Sequence, residues 1–317
     1  MKAVVTGAAG FIGSHLAEKL LIMGHDVIGI DSFSGYYDPA MKEINIQGLL
    51  KNNKFNLVRK DILDTDIKKL LEGADLVFHE AAQPGVRASY ENVDEYIRSN
   101  IFATAKLLDA VKGSKVKKVI LASSSSVYGE LSLYPFKESL PVKPISPYAM
   151  TKLKAEELCH MYHQEDKVPA VILRYFTVYG PRQRPDMAIH GIIRSAITGE
   201  KFTLLGDGSQ ERDFTFVADA VTATIRAAET GKPGEIYNIG SGIGISMLEL
   251  IKNIEFLTGK KIKLEHQEEA KGDMKKTLAD ISKAKRDLGY NPAVALKEGL
   301  MRQIEWMKKS AFNTKTG

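Results

Sequence analysis

The chain has a single cysteine, Cys159, so it forms no internal disulfide and no cysteine-based metal cluster. Its seven histidines have no metal-ligand spacing. No apolar run approaches the roughly 20 residues that a membrane helix needs. Residues 1–6 read as a strand rather than a charged, cleavable leader, and this implies a cytoplasmic protein. There is no internal repeat and no low-complexity linker. Nor is there a strong charge of one sign. The net charge of +5 is modest, and the basic run at Lys115, Lys117 and Lys118 fits a solvated turn, not a nucleic-acid surface. A small positive excess helps attract an anionic small molecule. What is present is ordinary for a globular protein: 317 residues, 44% hydrophobic and 26% charged, enough for one large or two modest domains.

The N-terminus carries the first positive signal. Lys2-Ala3-Val4-Val5-Thr6 is a buried-strand pattern, followed at once by Gly7-Ala8-Ala9-Gly10-Phe11-Ile12-Gly13. Ser14 to Met23 has helical apolar spacing and stops at Gly24. Asp26 to Ile30 is a second strand, closed by Asp31. Strand, glycine turn, helix, strand and acidic residue is the order of a dinucleotide-binding unit. Its glycines bring the backbone close to a pyrophosphate, which sits on the helix N-terminus. Asp31 stands where a carboxylate binds the adenosine ribose hydroxyls and repels a 2′-phosphate, so the expected cofactor is NAD, not NADP.

The first half continues in the same scheme. Phe55 to Val58 is a third strand, followed by Asp61-Ile62. Leu76 to His79 is a fourth, running into Glu80-Ala81-Ala82-Gln83, whose small residues let a cofactor pass over the strand end. Val93 to Val111 is helical and carries Asn100. Val119 to Ala122 is a fifth strand, ending in Ser123 to Ser126 and Val127-Tyr128-Gly129. Ligands bind beyond the carboxyl ends of such strands, so the serines, His79–Ala82 and Gly7–Gly13 face one crevice. Tyr148 and Lys152 follow, four apart on one helix face. An ammonium beside a phenol favours the phenolate, and a phenol so tuned can take a proton from an alcohol. Cys159, on the same helix, is expected to be a packed thiol rather than a nucleophile.

The second half is less regular. Ala170 to Phe176 is a sixth strand, and the proline- and arginine-rich stretch Thr177 to Ala188 leaves the sheet. A helix (Ile189 to Thr198) and a short strand (Phe202–Leu205) follow. Arg212 to Val217 is expected to return to the main domain, and Glu235 to Gly240 to add a strand there. From Ser246, two helices and a strand at Ile262–Leu264 are expected to build a cap. Arg87, Arg174, Arg182, Arg184, Arg194 and Arg212 are candidate anion contacts, because guanidinium binds phosphate and carboxylate two-pronged. The fold class is α/β: a doubly wound parallel sheet with a smaller C-terminal α/β cap. Residues 1–176, with returning segments near 213–240, make the NAD-binding part; 177–212 and 241–317 make the cap.

Four stretches, Thr6–Ser14, Ser123–Gly129, Tyr148–Lys152 and Arg174–Met187, together make the chain resemble an extended short-chain dehydrogenase/reductase of the nucleotide-sugar epimerase family, over nearly its whole length. The resemblance implies bound NAD acting as a reversible hydride store, with Gly7, Gly10, Phe11, Ile12, Gly13, Asp31, Asp61, Ile62, Ala81, Ala82, Asn100, Ser123, Tyr148, Lys152 and Tyr175 around it. Tyr148 is then the base at the 4-hydroxyl, Lys152 lowers its pKa and holds the nicotinamide ribose, and Ser124 hydrogen-bonds the reacting oxygen. Related dehydratases and decarboxylases carry acids where this chain has Ser125 and Ser126. Thr177 to Met187, and Arg87, are most similar to the UDP-glucuronate 4-epimerases. Ser125, Ser126, Arg87, Thr177, Arg182, Arg184, Arg212 and Asp273 are the implied substrate contacts. Where many members have an arginine three before Asp273, this chain has Ala270, with Lys271 beside it, and Arg212 is expected to carry more of the diphosphate. UDP-glucose or UDP-N-acetylhexosamine epimerisation, and a non-catalytic NAD-binding sensor, are the alternatives. The resemblance also implies a homodimer paired through the Asn100 and Tyr148 helices.

Overall fold

The computed structural model of the chain describes residues 1–268 and 272–313, the last four of them by backbone alone. Its strands, in chain order, are β1 (Lys2–Thr6), β2 (Asp26–Asp31), β3 (Phe55–Arg59), β4 (Leu76–His79), β5 (Lys118–Ser124), β6 (Ala170–Tyr175), β7 (Thr177–Tyr179), β8 (Phe202–Leu205), β9 (Glu211–Phe216), β10 (Ile236–Ile239), β11 (Gly244–Ser246) and β12 (Leu264–Gln267). Seven of them form one parallel sheet in the order β10-β6-β5-β4-β1-β2-β3. β1, β5 and β6 are almost wholly buried, as the continuous apolar runs require of a sheet covered on both faces. Chain order reverses on either side of β1, which has β2 on one flank and β4 on the other. A crevice opens at such a point, beyond the strands' carboxyl ends.

Local signals explain the elements that border this crevice. Gly10 caps the helix Phe11–Ile22 without any side-chain hydrogen bond. Ser146 caps the helix Pro147–Asp166 by accepting from the Ala149 amide at 3.2 Å, and Pro147 occupies the first turn, where no amide is needed. The Val93–Val111 segment is helical throughout, but it widens to a π turn over Arg98–Phe102, with Asn100 at the centre. Among the described residues, no helix is long and apolar enough to cross a membrane.

The C-terminal half departs from the sequence expectation in three places. β9 does not return to the main sheet. It pairs with β7 and β11 in a separate three-stranded sheet, and the return is made by the helix Val217–Thr230, which packs on β5 and β6. The short strand starts at Leu264, not Ile262, and runs parallel to β8. Ile262 is used instead to close the preceding turn, its amide donating to Glu255 Oε1 at 2.9 Å. Among the described residues, three helices follow Ser246, not two: Met247–Thr258, Ser282–Leu288 and Leu296–Asn313.

Candidate active site

A cavity of about 710 Å³ occupies the crevice, and both the glycine loop and the Tyr148 helix line it. Gly7, Gly10, Phe11, Ile12 and Gly13 form one end of its wall. The uncapped first turn of Phe11–Ile22 leaves its amides for an anion. A Cβ at Gly13 would lie 2.1 Å from the Gly7 carbonyl oxygen, so only glycine allows this close approach. Asp31 lines the same end, but its carboxylate is not idle. It accepts from the Ala9 and Phe33 amides at 3.1 and 2.8 Å and from Lys42 Nζ at 3.0 Å. Asp61 and Ile62 line the wall further along, with Asp61 held by Arg98 at 2.8 Å. These are the features a dinucleotide needs: a pyrophosphate cradle, a buried carboxylate at the end of the second strand, and an apolar floor at Ala81 and Ala82.

At the middle of the cavity stand Ser124, Tyr148 and Lys152. Ser124 acts on the Tyr148 hydroxyl, favouring its ionised form. Its Oγ also accepts from the Ser126 amide at 3.2 Å and lies 2.9 Å from Ser126 Oγ. Ser125, Ser126 and Thr177 complete this part of the lining. Loss of water pushes the Tyr148 phenol above its ordinary value, against the pull of Ser124 and the Arg184 charge. The lowering expected from Lys152 is not among the influences on Tyr148, and the charges that act on the Lys152 ammonium are those of Glu80 and Glu156. Burial nonetheless brings Lys152 down to about 8.

Glu80 is placed on the crevice by the sequence, within His79–Ala82, but is given no role there. It lines the cavity, accepts from the Tyr175 hydroxyl at 3.0 Å, and burial raises its carboxyl to about 7 against the pull of that bond and of Lys152. Tyr175 is further tied to Thr224 at 2.6 Å. The available signal was an acidic residue closing an apolar strand. Asp186 and Tyr36, both in the lining, are given no role either.

Other anticipated residues lie elsewhere. Asn100 is outside the lining; it supports the wall, holding the Gln83 amide at 2.7 Å and Thr151 Oγ1 at 2.9 Å. Ser123 lines the cavity but spends its hydroxyl on Glu156, which also forks Arg174 at 3.0 and 2.7 Å. Arg174 is thus an internal ion-pair partner rather than an anion site. Arg182 is outside the lining; it pairs with Glu18 at 3.0 Å, on a backbone with a positive φ of 65°. Arg194 pairs with Glu200 at 2.7 Å on the surface. Arg184 and Arg212 do line the cavity, and Asp273 joins them. Asp273 is approached by Arg212 at 3.4 Å and by Arg87, itself outside the lining, at 3.3 Å. Ala270 and Lys271 lie outside the described residues.

Comparison with known proteins agrees with this geometry. The model of the NAD dependent epimerase/dehydratase family matches residues 3–240. A UDP-glucuronate 4-epimerase of Thermodesulfobacterium geofontis is 42% identical over 97% of this chain and 96% of its own. An uncharacterized UDP-glucose epimerase, YtcB of Bacillus subtilis, is 45% identical over 97% and 98%. Among solved structures, the UDP-glucuronic acid 4-epimerase of Bacillus cereus in complex with UDP-glucuronic acid and NAD superposes with a TM-score of 0.95. It is 46% identical and covers 98% of this chain and 100% of that one.

Proposed function

The chain belongs to the NAD dependent epimerase/dehydratase family, and from that premise we propose that it is a UDP-glucuronate 4-epimerase, interconverting UDP-glucuronate and UDP-galacturonate. The observation that carries this reading is the Ser124–Tyr148 pair with Arg184 close enough for its charge to act on the Tyr148 phenol. A base at the sugar's 4-hydroxyl then has a guanidinium within reach of the neighbouring C5 substituent, which in a glucuronate is a carboxylate. A carboxylate shut away from water needs such a partner.

The residues present fit NAD: the Gly7–Gly13 cradle would take the pyrophosphate, Asp31 the adenosine ribose, Asp61 and Ile62 the adenine, and Lys152 the nicotinamide ribose. Bound there, NAD supplies the acceptor and the donor for the C4 hydride. Tyr148 takes the proton of the 4-hydroxyl as C4 is oxidised, and Ser124 holds the oxygen through the change to a ketone. The sugar then turns about its link to the diphosphate, and Tyr148 returns the proton once the opposite face of C4 is presented. A 4-keto uronate is a β-keto acid and loses carbon dioxide readily. Arg184 keeps its carboxylate still, and Ser125 and Ser126 place no acid beside it. Arg212, positioned by Asp273, holds the diphosphate from the cap side. In this scheme residues 1–176 and the segments near 213–240 serve the cofactor, and 177–212 with 241–317 serve the nucleotide sugar.

The same reading has two chains pair through the helices that bear Asn100 and Tyr148. Val93, Phe102, Met150 and Met161 on them are 40–58% exposed, an apolar surface that a partner's copy would cover. It also has the enzyme work in the cytoplasm. The functional test is direct: incubate the purified protein with UDP-glucuronate and follow the sugar by NMR. UDP-galacturonate should accumulate to an equilibrium mixture. No product from UDP-glucuronate, with the nucleotide sugar merely bound, would leave a sensor as the better reading.

A further inference from the structure

Arg184 enters the cavity already paired. Its Nε donates to Asp186 Oδ1 at 3.0 Å and its Nη2 to Asp186 Oδ2 at 3.1 Å, while Nη1 makes no hydrogen bond to any described residue. Asp186 is clamped in turn, because the Tyr36 hydroxyl donates to its Oδ2 at 3.3 Å. Tyr36 has room for this only because position 85 is glycine. A Cβ there would lie 2.2 Å from the Tyr36 hydroxyl oxygen, and the φ of +98° is itself one that side chains disfavour. Both members of the ion pair are mostly withdrawn from solvent, with side chains 20% and 34% exposed. Burial pushes the Asp186 carboxyl up, but the Arg184 charge and the hydrogen bonds outweigh it, so the group sits below its ordinary value and is ionised at neutral pH.

The consequence concerns release. A C4 epimerisation of a uronate leaves the carboxylate on both substrate and product. A lone, half-buried guanidinium would grip the two alike, and such uniform binding lowers KM without helping turnover. A fixed carboxylate on its flank offsets the charge while leaving one edge of the guanidinium free to point at the ligand. We propose that Asp186 is a specificity-determining residue that tempers the hold of Arg184 on the acidic sugar, so that the product can leave. The inference rests on the functional reading above.

The test uses the NAD-loaded enzyme with turnover blocked by Tyr148→Phe, so that affinity is read alone. In that background Asp186→Asn should tighten the calorimetric Kd for UDP-glucuronate about tenfold, or ~1.4 kcal/mol, and leave UDP-glucose unchanged. Asp186→Glu, which keeps the charge, should restore the parent value. With Tyr148 intact, Asp186→Asn should lower both kcat and KM for UDP-glucuronate, since the acid is held longer. If Asp186→Asn does not fold, Asp186→Ser makes the same charge test. Weaker binding of UDP-glucuronate would overturn the proposal and reduce Asp186 to a prop for Arg184. So would an equal change for both sugars. Distinct from these, a parent enzyme that does not convert UDP-glucuronate removes the functional reading itself.

Discussion

Replacing Arg174 by methionine tests what holds the catalytic elements to the sheet. Arg174 sits on β6 and Glu156 on the Tyr148 helix, one turn beyond Lys152, with side chains only 4% and 2% exposed. The pair is joined by bonds of 3.0 and 2.7 Å, the guanidinium lies 4.7 Å from the Tyr128 ring centroid, and Ser123, next to Ser124, donates to the same carboxylate. Arg174→Met keeps the length of the side chain and removes both bonds, leaving a buried carboxylate with no cation bonded to it. Breaking a buried pair from one side costs about 3–5 kcal/mol. For a chain of this size each kcal/mol moves Tm by about 2 °C, so the fall should be roughly 6–10 °C. Removing both charges is a different matter. Arg174 Nη1 is buried without a partner, so the intact pair already bears a desolvation cost. Arg174→Met with Glu156→Leu should therefore recover most of the loss and end about 1–2 kcal/mol below the parent, the residue being the Ser123 hydroxyl that loses its acceptor. Urea unfolding of the parent, Arg174→Met, Glu156→Leu and the double variant at one saturating NAD concentration gives the comparison, since bound ligand adds equally to each. A double variant that loses the sum of the two single losses would refute the reasoning, as would an Arg174→Met protein within 1 kcal/mol of the parent.

Denaturing the purified protein should release NAD and not NADP, because a 2′-phosphate would meet the buried Asp31 carboxylate; recovery of NADP by chromatography would contradict this. Tyr148→Phe should lose about 10²–10⁴-fold in kcat with NAD still bound, and Ser124→Ala less, since the base remains. Retention of most activity in Tyr148→Phe would mean that another group is the base. Burial pushes the Cys159 thiol up to about 12, so an aromatic disulfide reagent should find no thiol in the native protein and one per chain after denaturation.

Much of this was legible in the sequence for a physical reason. Continuous apolar strands and a glycine turn are local signals, and the cavity wall from Gly7 to Gly13 follows from them; Tyr148 and Lys152 are marked by their spacing, and Ser124 by the family resemblance alone. What stayed hidden depends on partners far along the chain. Glu80 is raised by burial and held by the hydroxyl of Tyr175, 95 positions away. Arg182 and Arg184 look equivalent in a row of arginines, yet Arg182 pairs with Glu18, 164 positions away, while Arg184 lines the cavity. The loss of water at Tyr148 reverses the sign expected from its spacing to Lys152, because i, i+4 places two side chains on one face without saying where the ammonium points. The pairing of β9 with β7 and β11 likewise depends on contacts that periodicity does not encode.

The central claim is that Arg184 reads the acid of the sugar, and kcat/KM for UDP-glucuronate and UDP-glucose, in the parent and in Arg184→Ala, tests it most directly. The parent should prefer UDP-glucuronate strongly. Arg184→Ala should lose most of that preference by losing the acid alone, by roughly 2–5 kcal/mol of transition-state stabilisation, the usual cost of truncating one partner of a buried charge pair. A parent that prefers UDP-glucose, or an Arg184→Ala protein that loses both sugars equally, would contradict it.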